Sequence, residues 1–206
     1  DYCKRGKKAI ESVSSWPEAG GHLQVLRADA RSLPIRDKTA ALIVTSPPYA
    51  NAIDYMRAHK FSLVWLGLPI GQSSRLRSTY IGAEVSSSDA GGLPPLVKST
   101  LKTVEEADCR RARIVQKYFN DMLLAVREMR RVLEPEGAAV VVVGPSVVRG
   151  VPGRTHECIA AIMSTQGFEV VGVAERQIDR DKRLMPISKG PLSLSGIENR
   201  MHSEFV

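Results

Sequence analysis

Apolar residues along the chain fall into short aliphatic runs that favour strands. Residues 22–29 (HLQVLRAD) and 40–45 (AALIVT) are rich in aliphatic and β-branched side chains. Residues 137–144 (GAAVVVVG) are apolar throughout, as in a strand covered on both faces. A fourth run, residues 168–176, predicts another strand, and residues 201–206 its antiparallel neighbour.

Between these runs the apolar spacing changes to three and four residues, which predicts helices. One amphipathic helix is expected over residues 113–133, and the sequence EPEG (134–137) ends it. A second helix, over residues 154–166, should end at Gly167, with Phe168 in hydrophobic contact behind the glycine. Shorter helices are expected in KKAIESVSSW near the N-terminus and in FSLVWLGL (61–68). Alternating strands and helices indicate the α/β class, with a parallel or mixed sheet.

Residues 71–112 depart from this rhythm. They are rich in Ser, Gly and Pro, contain SSSDAGG and LPPL, and show no core-forming pattern. A loop this long is usually functional or disordered. We interpret it as an insertion on the active-site side of a single 206-residue domain, with a short helix near residues 98–112. A plain surface loop is the alternative.

Composition narrows the functional classes. The net charge of +7, from 29 Lys and Arg against 22 Asp and Glu, suits a polyanionic partner or serves only solubility. The three cysteines, Cys3, Cys109 and Cys158, have no metal-ligand spacing, and their odd number does not suggest a disulfide framework. His156 is expected to cap a helix or to be solvated. It has no companion ligand, so no metal site is predicted. The cysteine pattern leads us to expect a reduced, cytoplasmic protein. We also expect it to be soluble, because no apolar run reaches the roughly 18 residues of a membrane span.

The strand at residues 40–45 runs directly into Ser46, Pro47, Pro48 and Tyr49. Neither proline has an N–H for a strand partner, so the strand must end there. Ligands of open α/β sheets bind at the carboxyl ends of strands. The Pro47 carbonyl can accept a hydrogen bond and Tyr49 offers a ring face. These groups suit a planar ring with an exocyclic amine, although a rigid turn with a packed tyrosine is the simpler interpretation.

The order ADARSLPIRD (28–37), apolar strand and TSPPY resembles the S-adenosylmethionine-dependent amino-methyltransferases that modify exocyclic nitrogens of DNA bases. Their signature is Ser, Asp or Asn, then Pro-Pro and an aromatic residue, at the end of a central strand. The serine form is similar to the cytosine-N4 branch; the adenine-N6 branch usually has Asp or Asn. RRVLEPEGAAVVVV also resembles the helix, turn and strand of this class. The resemblance covers residues 22–176 and implies a Rossmann-like class I methyltransferase sheet flanked by helices and incomplete at its N-terminus.

The resemblance implies catalytic roles for four residues. The base amine would donate hydrogen bonds to the Ser46 hydroxyl and the Pro47 carbonyl, which aim its lone pair at the methyl donor. Pro48 would complete the rigid wall of the pocket. Tyr49 would stack on a base extruded from the duplex.

The resemblance also implies binding roles. Asp29 matches the acidic position that contacts the cofactor's adenine amine, and Ala30 and Ser46 are expected to bind the cofactor as well. An ordinary turn-capping Asp is the alternative for Asp29. Asn51, Arg57 and Lys60 are expected to contact DNA, although a solvated helix start explains the basic residues equally well.

A further basic group is ambiguous in the same way. Arg110, Arg111 and Arg113 form either a phosphate-contacting patch or an exposed helical face.

One family feature is missing. The glycine-rich turn that passes the methionine part of the cofactor has no counterpart in this chain, since EAGGH and DAGGL lack the preceding apolar strand. The cofactor half then precedes residue 1, follows residue 206 in a permuted order, or has been lost.

Several functions follow from the resemblance. The first is a DNA cytosine-N4 methyltransferase, with a restriction endonuclease as a candidate partner. The alternatives are an adenine-N6 enzyme, a catalytically inactive nucleic-acid-binding or assembly subunit, and, less favoured by the serine, an RNA guanine-N2 enzyme.

Overall fold

A computed structural model describes residues 7, 11–12, 21–50, 60–65, 67, 80–81, 91–177 and 203–206 of the chain. This part of the chain mixes helices and strands around a small parallel sheet. Its elements in chain order are β1 (Ala40–Thr45), α1 (Lys60–Trp65), α2 (Pro95–Ala107), α3 (Cys109–Val132), β2 (Leu133–Val141), β3 (Val147–Val148), β4 (Val151–Pro152), α4 (Thr155–Thr165), β5 (Glu175–Gln177) and β6 (Ser203–Phe205).

Strands β1 and β2 pair in parallel, and β1 has the predicted bounds. The pairing is regular from Leu42 opposite Ala138 to Thr45 opposite Val141, but Ala40 lies opposite Leu133. The EPEG sequence therefore forms a bulge at the start of β2, and β2 is longer at this end than residues 137–144 predict. Parallel pairing with an intervening helix agrees with the predicted α/β class.

The C-terminal residues confirm the expected antiparallel strand. Strand β6 pairs with β5, and Phe205 also exchanges two backbone hydrogen bonds with Val143, at 2.9 and 2.8 Å. The order β1, β2, β6, β5 thus runs through this bridge. The predicted strand at 168–176 is mostly wrong, because β5 covers only Glu175–Gln177, extended by two backbone hydrogen bonds that Ala174 exchanges with Val206.

The segment at residues 22–29 is not a strand, which corrects the prediction. Its residues are exposed, Leu23 and Val25 strongly so, and its end at Asp29 forms only an isolated bridge across a turn to Ser32. Aliphatic side chains do not make a strand without a neighbour to satisfy the backbone, and no described residue supplies one.

Helix α3 begins at Cys109, four residues before the prediction. Asp108 sets this start, since its side chain accepts a hydrogen bond from the Arg111 N–H at 3.0 Å in a helix-capping arrangement. The same residue ends α2, where its N–H donates to the Val104 carbonyl.

Helix α2 corrects the interpretation of residues 71–112 as lacking a core pattern. Val97 and Val104 are fully buried, and Leu93, Leu96 and Leu101 pack around them. The spacing of these residues is helical, and LPPL supplies the proline of the first turn rather than a loop. The part of the proposed insertion from Leu93 onward therefore contributes to the core.

Helix α4 (Thr155–Thr165) is close to the predicted 154–166, and Gly167 follows it at φ 83°. The Phe168 N–H donates to the Met163 carbonyl and its ring packs against the core, as expected behind a glycine cap. His156, expected to be capping or solvated, instead stacks on Phe205 with ring centroids 3.7 Å apart. This contact fixes the C-terminal strand against α4.

One face of the β1–β2 pair packs on the helices. Ile43, Ala139 and Val141 join a core built mainly from α2, α3 and α4. On the other face Leu42 is 58% and Val44 68% exposed. Helix α1 is similar, since Phe61 and Trp65 are largely exposed. No helix among the described residues is long and apolar enough to cross a membrane.

A buried carboxylate joins α3 to the segment that precedes β1. Lys117 Nζ lies 2.5 Å from one oxygen of Asp121, and both side chains are only 6% exposed. Arg31 Nη1 donates to the other oxygen at 2.8 Å. Removing any one of these three side chains would leave a charge without compensation in a poorly hydrated place.

A second cluster, about two to three turns further along α3, holds the rest of that segment. Glu128 accepts from the Leu33 N–H at 2.9 Å, and Arg131 donates to the Leu33 and Ile35 carbonyls and to Asp37. Together the two clusters bind residues 31–37 along one stripe of α3 and thereby place the start of β1.

We expect Asp121→Ala to lower the free energy of unfolding by about 3–5 kcal/mol, because it leaves Lys117 buried without its partner. Asp37→Ala is the matched control: Asp37 is 70% exposed and pairs with Arg131, so its loss should cost less than about 1 kcal/mol. Urea unfolding measures both. Equal losses in the two variants would contradict the role given to Asp121.

Candidate functional site

Ser46, Pro47, Pro48 and Tyr49 lie where the sheet rule places them, at the carboxyl end of β1. The Val142 N–H donates to the Thr45 carbonyl at 2.9 Å, so the ends of β1 and β2 are still joined at this level. Ser46 is exposed, Pro47 is buried, and Pro48 and Tyr49 are half-buried. The turn thus has a fixed base and an accessible first residue.

Two polar groups of the turn are unengaged by described residues. None of these residues hydrogen-bonds to the Ser46 hydroxyl or to the Pro47 carbonyl. Ser46 is exposed, so its hydroxyl is open to a ligand, and Pro47 and Pro48 restrict the backbone of the turn.

Tyr49 is held by a contact that the sequence does not reveal. A Cβ atom placed on Gly144 would lie 2.6 to 2.9 Å from three atoms of the Tyr49 ring. Gly144 follows β2, so the ring rests on the backbone at the end of the neighbouring strand. Only glycine allows this approach, which fixes the ring next to the Ser46 turn.

Asp29, the expected contact of the cofactor's adenine, is engaged with Arg31. Its Oδ1 accepts from the Arg31 N–H at 2.9 Å and from Nε at 3.0 Å, and its Oδ2 accepts from Nη2 at 2.8 Å. The hydrogen bonds from the Arg31 side chain hold the pKa of Asp29 below its ordinary value. The carboxylate stays ionised and half exposed, so it can still accept a hydrogen bond from an amine. Ala30 beside it is also exposed.

The three residues expected to contact DNA are not tested. Asn51 and Arg57 lie outside the described residues. Lys60 is the first residue of α1, and only its backbone is described.

Within the described ranges, no group of three His, Cys, Asp or Glu side chains is arranged to hold a metal ion. Of the cysteines, Cys109 is exposed and Cys158 is buried beside Thr100.

A short hairpin beside the site was missed from the sequence. Strands β3 and β4 pair through Val148 and Val151, and the two-residue loop between them is Arg149-Gly150, both with positive φ. At the hairpin base, the buried hydroxyls of Ser146 and Thr155 are 2.8 Å apart. The only sequence signal is the Gly at residue 150, since Arg is rare at the first position of such a turn.

Comparison with known proteins adds no relative: no family model, no curated protein and no solved structure matches the chain. The geometry and the motif resemblance are therefore what a functional proposal rests on.

Gly144→Ala should lower the free energy of unfolding by about 1–3 kcal/mol, because the added methyl group must push the Tyr49 ring away. Gly172→Ala is the control, since a Cβ there meets no atom within 4 Å. Urea denaturation of both variants measures the effect. A Gly144→Ala variant as stable as Gly172→Ala would show that Tyr49 does not rest on Gly144.

Asp29→Asn should cost about 0.5–1 kcal/mol at neutral pH, because the Asp29 side chain is half exposed and solvent screens its ion pair with Arg31. The pKa of Asp29 is lowered in the folded state, so its contribution is complete above the pKa of the unfolded chain. It disappears as the pH falls through the lower, folded value. Unfolding free energies measured from pH 7 to pH 3 should converge for wild type and variant at the acidic end; a gap that widens there would contradict this assignment.

Proposed function

We propose that the protein is an S-adenosylmethionine-dependent DNA methyltransferase that acts on the exocyclic N4 of cytosine. The observation that carries the proposal is the Ser46–Tyr49 turn at the carboxyl end of β1. No described residue hydrogen-bonds to the Ser46 hydroxyl or to the Pro47 carbonyl, and the Tyr49 ring is fixed against Gly144. The parallel β1–β2 pair with an antiparallel pair beyond it is compatible with a Rossmann-like class I methyltransferase sheet.

The chemistry asks for little beyond positioning. The cytosine amine is a weak nucleophile because its lone pair is delocalised into the ring. Hydrogen bonds donated by the amine to the Ser46 hydroxyl and the Pro47 carbonyl favour a tetrahedral nitrogen and orient its lone pair. The same two acceptors stabilise the positive charge that develops on nitrogen during transfer. Pro48 limits movement of this wall.

The base has to leave the duplex to reach this turn, because its amine is inaccessible inside the stack. Tyr49 is half-buried and backed by Gly144, so the ring offers a preformed surface for stacking. The first residue of the motif is serine, which favours cytosine over adenine by the family resemblance.

The described residues fit one end of the cofactor. S-adenosylmethionine supplies the methyl group as a sulfonium, and its adenine amine would donate to the ionised Asp29 beside Ala30, with Ser46 near the transferred methyl group. Arg31 orients the Asp29 carboxylate for this contact. No described residue provides a glycine-rich turn for the methionine end.

That gap favours a second candidate function. A subunit that binds nucleic acid with the same fold, but transfers no methyl group by itself, needs no complete cofactor site. Such a subunit has the same Ser46–Tyr49 turn and the same positive net charge as the enzyme. It differs in one measurable property, because it shows no methyl-transfer turnover.

The deciding experiment is transfer of a tritiated methyl group from S-adenosylmethionine to duplex DNA by the full chain, followed by nucleoside analysis. We expect N4-methylcytosine. N6-methyladenine would overturn the base assignment, and no transfer would overturn the enzyme in favour of the binding subunit.

Ser46→Ala should lower turnover by about 100-fold, because it removes one of the groups that stabilise the transition state. Ser164→Ala is the control: Ser164 is an exposed serine in the last turn of α4. Circular dichroism checks that both variants fold. Wild-type turnover in Ser46→Ala would show that this hydroxyl takes no part.

A further inference from the structure

Two arginines from different elements meet at one carboxylate. Arg149 Nε lies 3.3 Å from Asp108 Oδ2, and Arg111 Nε lies 3.6 Å from the same oxygen. Arg149 comes from the tip of the β3–β4 hairpin and Arg111 from the first turn of α3. The shared oxygen makes the two guanidinium groups neighbours.

The contacts leave the outer nitrogens of both groups unused. Asp108 is engaged through the Nε atoms, and in the described part of the chain neither pair of Nη atoms has a hydrogen-bond acceptor. Arg149 is 67% exposed while the Asp108 side chain is 18% exposed, so the carboxylate lies behind the arginine. Two oriented guanidinium forks that face solvent match the geometry of a phosphate group.

Both arginines occupy positions that local structure disfavours. Arg149 has φ 51°, in the left-handed region, where the first position of this two-residue turn prefers Asn, Asp or Gly. Arg111, with Arg110 beside it, puts positive charge in the first turn of a helix that has no acidic residue there, against the helix dipole. Such exceptions are a reason to look for function at the same place.

The path of the chain limits how far Arg149 can lie from the Ser46–Tyr49 turn. The first strand of the hairpin begins at Val147, three residues after Gly144, on which Tyr49 rests. The five residue steps from Gly144 to Arg149 span at most about 17 Å. That limit corresponds to about five nucleotide steps of about 3.4 Å each along the DNA helix axis. Arg111 is tied to the same place by its contact with Asp108.

We propose that Arg149 and Arg111, oriented by Asp108, bind a phosphate of the DNA strand within about five nucleotides of the base that enters the Ser46–Tyr49 turn. This inference rests on the proposed function for its ligand, and it adds the surface that sets the register of the strand. Arg110 is exposed next to the pair and adds to the positive field. Glu105 and Glu106, exposed in the last turn of α2, oppose it, so the phosphate approaches from the hairpin side.

Arg149→Asn tests the proposal without harming the fold, because Asn-Gly is the sequence this turn prefers. We expect about tenfold weaker binding of a mixed-sequence duplex DNA by the full chain, and a salt dependence of log affinity whose slope falls by about one. Arg111→Ala should act in the same direction. Arg130→Ala is the matched control, since Arg130 is an exposed arginine at the opposite end of α3.

The results separate this inference from the proposed function. Weaker binding in Arg149→Asn and Arg111→Ala, with Arg130→Ala unchanged, supports the phosphate site even if the protein transfers no methyl group. Wild-type affinity in both variants, an equal loss in Arg130→Ala, or no DNA binding by the wild-type chain overturns it. Methyl transfer by a protein in which Arg149→Asn binds normally would leave the proposed function standing without this site.

Discussion

The Asp121 carboxylate accepts hydrogen bonds from Lys117 and Arg31 where α3 is almost fully covered. A charge in such a place is tolerated only while its partners are present, so the three groups must assemble together. Arg31 then bridges from Asp121 to Asp29. One buried interaction therefore fixes both the path of the chain into β1 and the orientation of the carboxylate expected to contact the cofactor.

The carboxyl edge of the sheet combines rigid groups with accessible ones. Tyr49 rests on Gly144, and the hairpin that follows is fixed at its base by the Ser146–Thr155 hydroxyl pair. The same segments also carry two exposed residues, Ser46 in the turn and Arg149 in the hairpin. A site that must hold a base and a phosphate in fixed relation needs such an arrangement, because catalysis by positioning fails when the supports move.

The elements that were predicted well carry local signals. Strand β1 was predicted to the residue because an aliphatic run meets two prolines, and α4 because Gly167 and Phe168 mark its end. The core role of α2 was missed because Pro94, Pro95 and the Ser- and Gly-rich sequence before them are typical of a loop, whereas the core signal is the helical spacing of Val97, Leu101 and Val104. The segment at 22–29 has strand-forming residues, but pairing depends on a neighbour and not on composition.

Of the candidate site, only the contiguous Ser46–Tyr49 turn could be predicted from the sequence. The Ser46–Tyr49 turn is contiguous in sequence, so its residues could be named and placed by the rule for strand ends. The contacts of Gly144 with Tyr49, of Asp108 with Arg149 and of Arg31 with Asp121 join positions far apart in the chain. Nothing in the local pattern at either end specifies such a pair, so these contacts required the fold.

The central claim is that a DNA base occupies the turn beside Tyr49. Photocrosslinking with duplex DNA that carries 5-iodocytosine, followed by mass-spectrometric mapping of the adduct, tests it directly. We expect an adduct on Tyr49. The yield of this adduct should be lower in Gly144→Ala, because the added methyl group displaces the ring. Crosslinks confined to peptides outside the Ser46–Tyr49 turn would contradict it.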